Sequence, residues 1–389
     1  MSVISEADVR SRIDLLLESD LSDRPGFLGA QYDLGLAWIH FPEGSGGLGA
    51  DRGFQRLVHE AAVAVDAPQP RYEIGYGMAA PTIVTVGTDD QKARWLRPLF
   101  TGEEVWCQLF SEPGAGSDVA GLSCRAVQDG DEWVVNGQKV WTSNAHLARW
   151  GLLVTRTDPD APKHRGMTYF GIDLHQPGVE IRPLRQMTGQ AEFNEIYLTD
   201  ARVSEADRMG DVGDGWRVAL TTLMNERVAI GGGTRDAGKS AMDWILEAWN
   251  EHGHDDPARH DEMMKLWVRS EVLRLNNLRA EETRTTGTPG PEGSIGKVIS
   301  AEFNKDAFAF ALGLTGMAGT LFDGGYDLDQ TRPVLDYDTL AEYFLRVRAN
   351  SIEGGTTEVM RNILGERVLG LPGDVRVDKD VAWKDVARS

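Results

Sequence analysis

The chain has 389 residues, a length for two or three domains, and its 41% hydrophobic content supplies ample core. With 60 acidic against 40 basic residues the formal charge is −20, which argues against nucleic acid as a partner because backbone phosphates would be repelled. Cys107 and Cys124 form neither a disulfide framework nor a C-x-x-C motif, the acidic N-terminus has no signal-peptide core, and no apolar run approaches the ~18 residues of a membrane span, so a cytoplasmic protein without membrane insertion is expected.

Residues 1–105 read as an N-terminal helical domain. Val9–Ser19, Arg52–Val65 and Asp89–Leu99 carry apolar residues at three- and four-residue spacing, separated by Gly- and Pro-rich breaks. One break, Gly44-Ser-Gly-Gly-Leu-Gly49, spells G-x-G-x-x-G. Pro42 and Glu43 precede it, however, and helical segments flank it, so the strand–turn–helix context of a dinucleotide site is missing.

Residues 106–208 change to a period of two and read as a middle antiparallel β domain, because several strands follow one another without helices. Asn136-Gly137 lies between two alternating runs and predicts a hairpin with a type I′ turn. Further strands are expected at 150–157, 166–174, 178–184 and 194–203.

Residues 209–389 return to helices, expected at Trp216–Gly231, Thr234–Glu251, Asp261–Thr283, Ser294–Leu314 and Leu340–Asn350. The stretches at 256–261 and 285–293 read as connecting loops, and the tail after Pro372 as polar and loosely held. His252, His254, Asp255, Asp256 and His260 lack recognised ligand spacing and read as a solvated connection; no metal site is expected. The fold class is α+β and multidomain, with a C-terminal domain like a four-helix bundle.

Four segments can carry chemistry. Phe110-Ser-Glu-Pro-Gly-Ala-Gly-Ser-Asp118 is either a surface turn or a loop whose backbone approaches a ligand, with Ser111 and Ser117 as donors. Trp141-Thr-Ser-Asn144 is either a strand end with a buried Trp or an aromatic and hydroxyls that stack on and bond a planar heterocycle. At about 100° per residue, Trp216, Ala219, Leu220, Leu223, Met224, Val228 and Ile230 form one apolar arc, with Arg227 near its middle and Glu226 at its edge. A solvated ion pair would sit opposite, and charges on a core-facing stripe are costly unless they pair or line a site. Ile352–Arg361 is a Gly-rich loop entering a helix, readable as a ligand loop or simply as a helix start with Thr356 as N-cap and Glu358 nearby.

With these segments in this order, the chain resembles the acyl-CoA dehydrogenase family over roughly residues 20–372, through FSEPGAGSD, NGQKVWTSN, Glu226-Arg227 and EGGTTEVMRN. The resemblance implies an N-terminal helical domain, a middle β domain and a C-terminal helical bundle, with FAD bound between the last two and a neighbouring subunit. It implies that Gln108, Phe110, Ser111 and Ser117 contact the flavin, its ribityl chain or the acyl-CoA, that Trp141 and Ser143 pack on and bond the flavin, and that Thr356 and Glu358 lie near the cofactor. Ser117 and Arg227 are the substrate-binding candidates.

Many members carry the catalytic carboxylate directly before the Gly-Thr of the C-terminal loop. Here that position is Gly354, and Glu353 stands one residue early. Other members carry it on the first long C-terminal helix before an Arg, which Glu226-Arg227 matches, so Glu226 is the expected base and Glu353 the runner-up. The implied reaction removes the α-proton to the base and the β-hydrogen as hydride to flavin N5, gives a trans-2-enoyl-CoA in fatty-acid or lipid degradation, and passes electrons to an electron-transferring flavoprotein. Arg227 would help keep Glu226 ionised. Two family stretches that serve the neighbouring subunit's FAD are degraded here, to HDDPARHDEMMKLW and LGLTGMAGT. That admits a homodimer, a homotetramer or a heterotetramer with a related subunit. A same-fold flavin oxidase or monooxygenase, or a non-catalytic partner subunit, are the alternatives.

Overall fold

The computed structural model describes residues 4–231, 239–252, 256–285, 293–321, 337, 339–375 and 377–386. The chain divides into two compact units. The first comprises 1–182, 193–225 and 377–389, and the second 183–192 and 226–376.

The first unit opens with helices α1 (Glu6–Leu17), α2 (Arg24–Asp33), α3 (Gln55–Ala64), α4 (Ala80–Val86) and α5 (Asp89–Thr101). Local chemistry sets their ends. Thr88 caps α5 in a reciprocal box with Gln91, and the helix stops at Gly102 in the left-handed region. The Gln91 amide also donates to the carbonyls of Ala206 (2.8 Å) and Arg208 (2.9 Å), tying the helix start to the end of the sheet. The Gly44–Gly49 stretch is a loop with no strand before it, as its context required.

Eight strands follow: β1 (Trp106–Leu109), β2 (Arg125–Asp129), β3 (Glu132–Ser143), β4 (Trp150–Arg156), β5 (Met167–Asp173), β6 (Val179–Leu184), β7 (Phe193–Ser204) and β8 (Arg208–Met209). They form one sheet in the order β6-β7-β3-β2-β4-β5-β8, with β1 added on β4. β2–β3, β3–β7, β4–β5 and β5–β8 pair antiparallel, whereas β1 on β4 and the single pair Arg125–Arg156 of β2 and β4 are parallel. Trp95 of α5, Trp106 of β1 and Trp150 of β4 pack ring against ring at 5.2–5.7 Å, which fixes β1 and therefore the start of the loop that follows it.

The Asn136-Gly137 hairpin is not formed. The pair lies inside the continuous strand β3, at a register shift against β7, and the β2–β3 turn falls at Gly130 instead. Two physical demands keep Asn-Gly in the strand. A Cβ at Gly137 would stand 2.7 Å from Cys124, and the Asn136 side chain exchanges hydrogen bonds of 2.9 and 3.0 Å with Asp200 of β7.

The tail is not loosely held either. Trp383 donates its backbone N–H to Ala161 (2.9 Å) and its indole N–H to the Gly121 carbonyl (3.2 Å). The Arg156 guanidinium lies 4.9 Å over its ring, and Lys163 bridges Asp118 (2.8 Å) and Asp378 (2.7 Å). A polar sequence thus docks through one aromatic and one bridging cation, and it does so on the segment directly after Ser117. Replacing Trp383 by Ala is expected to lower stability by about 1–3 kcal/mol, from lost ring burial and cation–π attraction. A thermal melt of the full chain against wild type reads this.

The second unit contains α7 (Ala241–His252), α8 (Pro257–Thr285), α9 (Gly293–Leu314), α10 (Leu340–Arg346) and α11 (Thr357–Ile363). Helix α9 is central, packing on α7, α8, α10 and α11. Ile245, Leu266, Phe303, Ala307, Phe310 and Leu314 form its core. The 256–261 stretch is the start of α8, not a loop. Pro257 needs no N–H at a helix start, and the Asp256 carboxylate accepts from Ala258 N at 2.9 Å. Leu340–Asn350 is helical, but passes from α to 3-10 geometry at Val347. The start of the Thr234–Glu251 helix and most of the 285–293 loop lie outside the described residues. No helix among the described residues is long and apolar enough to cross a membrane.

Helix α6 (Gly215–Gly231) carries Glu226 at the point where the second unit begins.

Candidate functional site

In the first unit, β1 delivers Gln108, which is half-buried, and then the Phe110–Asp118 loop. The Phe110 ring is buried against Tyr169 (5.8 Å), so any ligand contact from this residue is made by its backbone. The Ser111 carbonyl accepts from Val140 N at 2.9 Å, which joins this loop to the end of β3. Glu112 and Ala115 close a tight turn through two backbone bonds of 3.0 Å, leaving Pro113, Gly114, Gly116 and Ser117 exposed. A Cβ at Gly114 or Gly116 would meet nothing within 4 Å. The turn is therefore open on its outer side, as a loop that meets a ligand must be.

Two residues outside the expected set hold this arrangement. Lys139 has no solvent exposure, and its Nζ donates to the Phe110 carbonyl (3.0 Å) and to Glu112 Oε1 (2.9 Å). Glu112 also accepts from Cys124 N (2.9 Å), Ser123 N (2.7 Å) and Ser123 Oγ (2.8 Å). Burial alone would raise its carboxyl, but Lys139 and these donors outweigh that and hold it below the usual carboxylate range. The signal was available in the alternation of β3. Trp133, Val135 and Lys139 share one phase, so the lysine falls on the inward face.

Beyond Lys139 the register against β7 shifts, and Trp141 adopts φ +62°, a left-handed conformation that costs a non-glycine residue about 1–3 kcal/mol. Its ring is 62% exposed, touching Phe193 edge-on at 6.0 Å. Burial was one of the two readings of Trp141, and it does not hold. Thr142, beside it, is fully buried, with its hydroxyl unpaired among the described residues. Half-buried Ser143 pairs with Phe193. A strained backbone that turns a flat aromatic outward, next to an open glycine turn, fits the edge and face of a planar heterocycle such as a flavin. Two shallow cavities of this unit, of about 420 and 440 Å³, are lined by none of the candidate residues.

The packed stripe of α6 differs from the expected arc. Val218, Ala219 and Thr222 are buried, whereas Leu220 (37%) and Met224 (43%) are exposed. Thr222 anchors the stripe by hydroxyl contacts to Thr82 (3.0 Å) and Tyr169 (2.9 Å). At about 100° per residue, Glu226 falls inside the arc of Val218, Ala219 and Thr222. Glu226 is half-buried, and the side chain of Arg227 lies outside the described residues.

In the second unit, Thr356 caps α11 by accepting from Val359 N at 3.2 Å, and Glu358 is exposed on the first turn. The two glycines before it are left-handed, and a Cβ at Gly355 would strike Met360 at 2.5 Å. Glu353 is bound by Arg346 through two bonds of 3.2 and 2.7 Å and by the Asn350 amide at 2.6 Å. Arg346 also faces Glu192 (3.7 Å), which accepts from Tyr337 Oη (3.1 Å) and from Gln186. Burial raises the Glu353 carboxyl, but Arg346 and Asn350 more than offset it, so the group sits below its ordinary range. A carboxylate whose folded value is depressed stabilises the fold above its unfolded value, and that contribution is lost as pH falls through the folded one. Glu353→Gln is therefore expected to flatten the loss of stability below about pH 4, as read by melting temperature against pH.

Among the described residues no group of His, Cys, Asp or Glu could hold a metal ion.

The acyl-CoA dehydrogenase N-terminal, middle and C-terminal domain models match residues 17–103, 107–201 and 213–369. Acyl-CoA dehydrogenase IpdE1 of Mycobacterium tuberculosis is 36% identical over 343 residues, covering 88% of this chain and 86% of its own. Acyl-CoA dehydrogenase FadE34 of the same organism is 40% identical over 341 residues; these are 87% of this chain but only 45% of FadE34, so the chain spans about half of that relative's length. Among solved structures, the ChsE4-ChsE5 complex from Mycobacterium tuberculosis matches with TM-score 0.70 and 28% identity over 95% of this chain and 97% of its own. A steroid ACAD, Tcur3481-Tcur3483, shares the fold at TM-score 0.73 and 24% identity over 95% and 97%. With all three domain models matched in order and helices, sheet and helices following one another as they require, the chain belongs to the acyl-CoA dehydrogenase family.

Proposed function

We propose that the protein is an FAD-dependent enzyme that removes two hydrogens from the α and β carbons of an acyl-CoA thioester and hands the electrons to an electron-transferring flavoprotein. FAD, when bound, supplies the hydride acceptor and the redox step. The chain's own residues position and handle a proton. Trp141 would pack on the flavin, Gln108, the Phe110 backbone, Ser111 and Ser143 would hold it by hydrogen bonds, and Ser117 would bind cofactor or thioester. Thr356 and Glu358, on the C-terminal loop, are the further candidates for binding the cofactor. Glu226 takes the α-proton, and Arg227, next to it in sequence, is the candidate for binding the substrate. A base on the packed stripe of a helix is shielded from water, which strengthens it.

The observation that carries this reading is Trp141, strained and exposed in a chain of this family. Its stabilising partner is the Lys139–Glu112 pair under the adjoining loop.

Another subunit of the family, a second copy or a related chain, completes the assembly. On α8, Met264, Trp267, Val268, Val272, Leu275 and Leu278 are 41–56% exposed and fall on one face, an apolar stripe that a lone subunit would leave in water.

The test is an anaerobic screen of thioesters, straight-chain octanoyl-CoA and a steroid-carboxyl-CoA among them because a fold relative is named a steroid ACAD. Flavin bleaching by one of them, with slow reoxidation in air, supports a dehydrogenase. Fast reoxidation identifies an oxidase. A protein that stays colourless with FAD and a related subunit present contradicts the proposal.

A further inference from the structure

The left-handed backbone of Trp141 has to be held in place. A non-glycine residue stays in that region only where its surroundings over-determine it. Here Trp141 (φ +62°) is followed three residues on by a second such residue, Asn144 (φ +57°). The ladder with β7 is interrupted just before them, in the register shift between Lys139 and Thr142, so regular strand pairing does not set the Trp141 backbone. The ring is no anchor either, being mostly exposed with an edge contact to Phe193.

Hydrogen bonds outside the ladder hold both flanks. On the N-terminal side, the Val140 N–H donates to the Ser111 carbonyl at 2.9 Å. On the C-terminal side stands Asn194 of β7, opposite Thr142 in register and 0% exposed. Its amide donates to the Thr142 carbonyl at 3.2 Å and meets Nδ1 of His146, also at 3.2 Å. Thr142 directly follows Trp141, and His146 lies in the turn that begins at Asn144. One buried amide therefore ties together the two ends of the segment that contains Asn144 and adjoins Trp141. Letting the segment relax would take both partners from that amide, at a site where water cannot replace them.

We propose that Asn194 is a positioning residue for the flavin platform: its amide locks residues 142–146 and, through them, the outward pose of the Trp141 ring. This rests on the reading of Trp141 as the residue that packs on the flavin. A ring presented in one pose before the cofactor arrives leaves little ordering to be done on binding.

The experiment compares wild type, Asn194→Leu, Asn194→Val, Trp141→Gly, and each Asn194 change combined with Trp141→Gly. It reads FAD affinity by titration, melting temperature, and the fluorescence of the bound flavin, which a stacked indole quenches. Leu keeps roughly the volume of Asn and Val suits a strand, and either removes both N–H donors. Each is expected to weaken FAD binding about 2- to 10-fold, the size of one aromatic stacking contact, and to brighten the bound flavin. Glycine adopts positive φ without strain and has no ring, so in the Trp141→Gly background the Asn194 changes should add nothing to either flavin readout. A melting temperature that falls while affinity and fluorescence keep their wild-type values gives Asn194 a structural role only and overturns the proposal. An Asn194 effect that survives undiminished in the Trp141→Gly background overturns it too, because the residue would then act by another route. Trp141→Gly that leaves affinity and fluorescence unchanged removes the Trp141 reading itself, and the role of Asn194 falls with it.

Discussion

Replacing Glu226 by Gln is expected to slow flavin reduction by an acyl thioester about 100- to 10,000-fold, the range for loss of a general base, with FAD still bound. Gln keeps the shape and hydrogen-bonding edge of the side chain and loses only the proton acceptor. The helix geometry supports this choice. Val218, Ala219 and Thr222 form the buried stripe of α6, and Glu226 continues it one turn on. Glu353→Gln should behave differently. Its carboxylate already accepts from Arg346 and Asn350, so it is poorly placed to take another proton, and its loss removes the carboxylate that binds the buried Arg346 at 2.7 Å. The expected result is a less stable protein whose flavin is reduced within a few-fold of the wild-type rate. Stopped-flow bleaching of the two variants separates the assignments.

The second large effect is structural. Lys139→Met is expected to cost about 3–5 kcal/mol, because it leaves the Glu112 carboxylate buried without its cation. The side chains are 0% and 6% exposed, so water cannot screen or replace the lost charge. The Phe110 carbonyl loses its donor at the same time. Glu112→Leu should be comparably damaging, since Ser123 N and Cys124 N then lose their acceptor. The double variant should cost less than the sum, as expected of groups sharing one network. Denaturant melts give the cycle, and FAD content measured alongside should fall with each single change, because both motifs hang on this pair.

Much of this was legible in the chain. Periods of two and near 3.6 placed the sheet and most helices, whereas the glycine turn and Trp141 each carried a plain structural reading beside the ligand one, and Glu226 stood out by its place at the edge of an apolar arc. What was not legible depended on partners distant in sequence. Asn136-Gly137 reads as a turn until Cys124 and Asp200 are seen to require a strand there. Leu220 and Met224 look like core by hydropathy, yet packing chose the side carrying Val218 and Thr222. The polar tail gives no hint that Trp383 finds Gly121 and Arg156. Lys139 was in phase with the inward face of its strand, but its partner Glu112 lies 27 positions away. Arg346 joins Glu192 to Glu353, across a separation no local pattern encodes.

The most direct measurement mixes the purified, FAD-loaded protein anaerobically with the thioester that bleaches it and follows the flavin's visible absorption together with the mass of the thioester. The account predicts that each equivalent of flavin bleached yields one thioester lighter by two hydrogens, and that deuterium at either the α or the β carbon slows the bleaching. Bleaching that leaves the thioester mass unchanged, or that is indifferent to deuterium at both carbons, would contradict it.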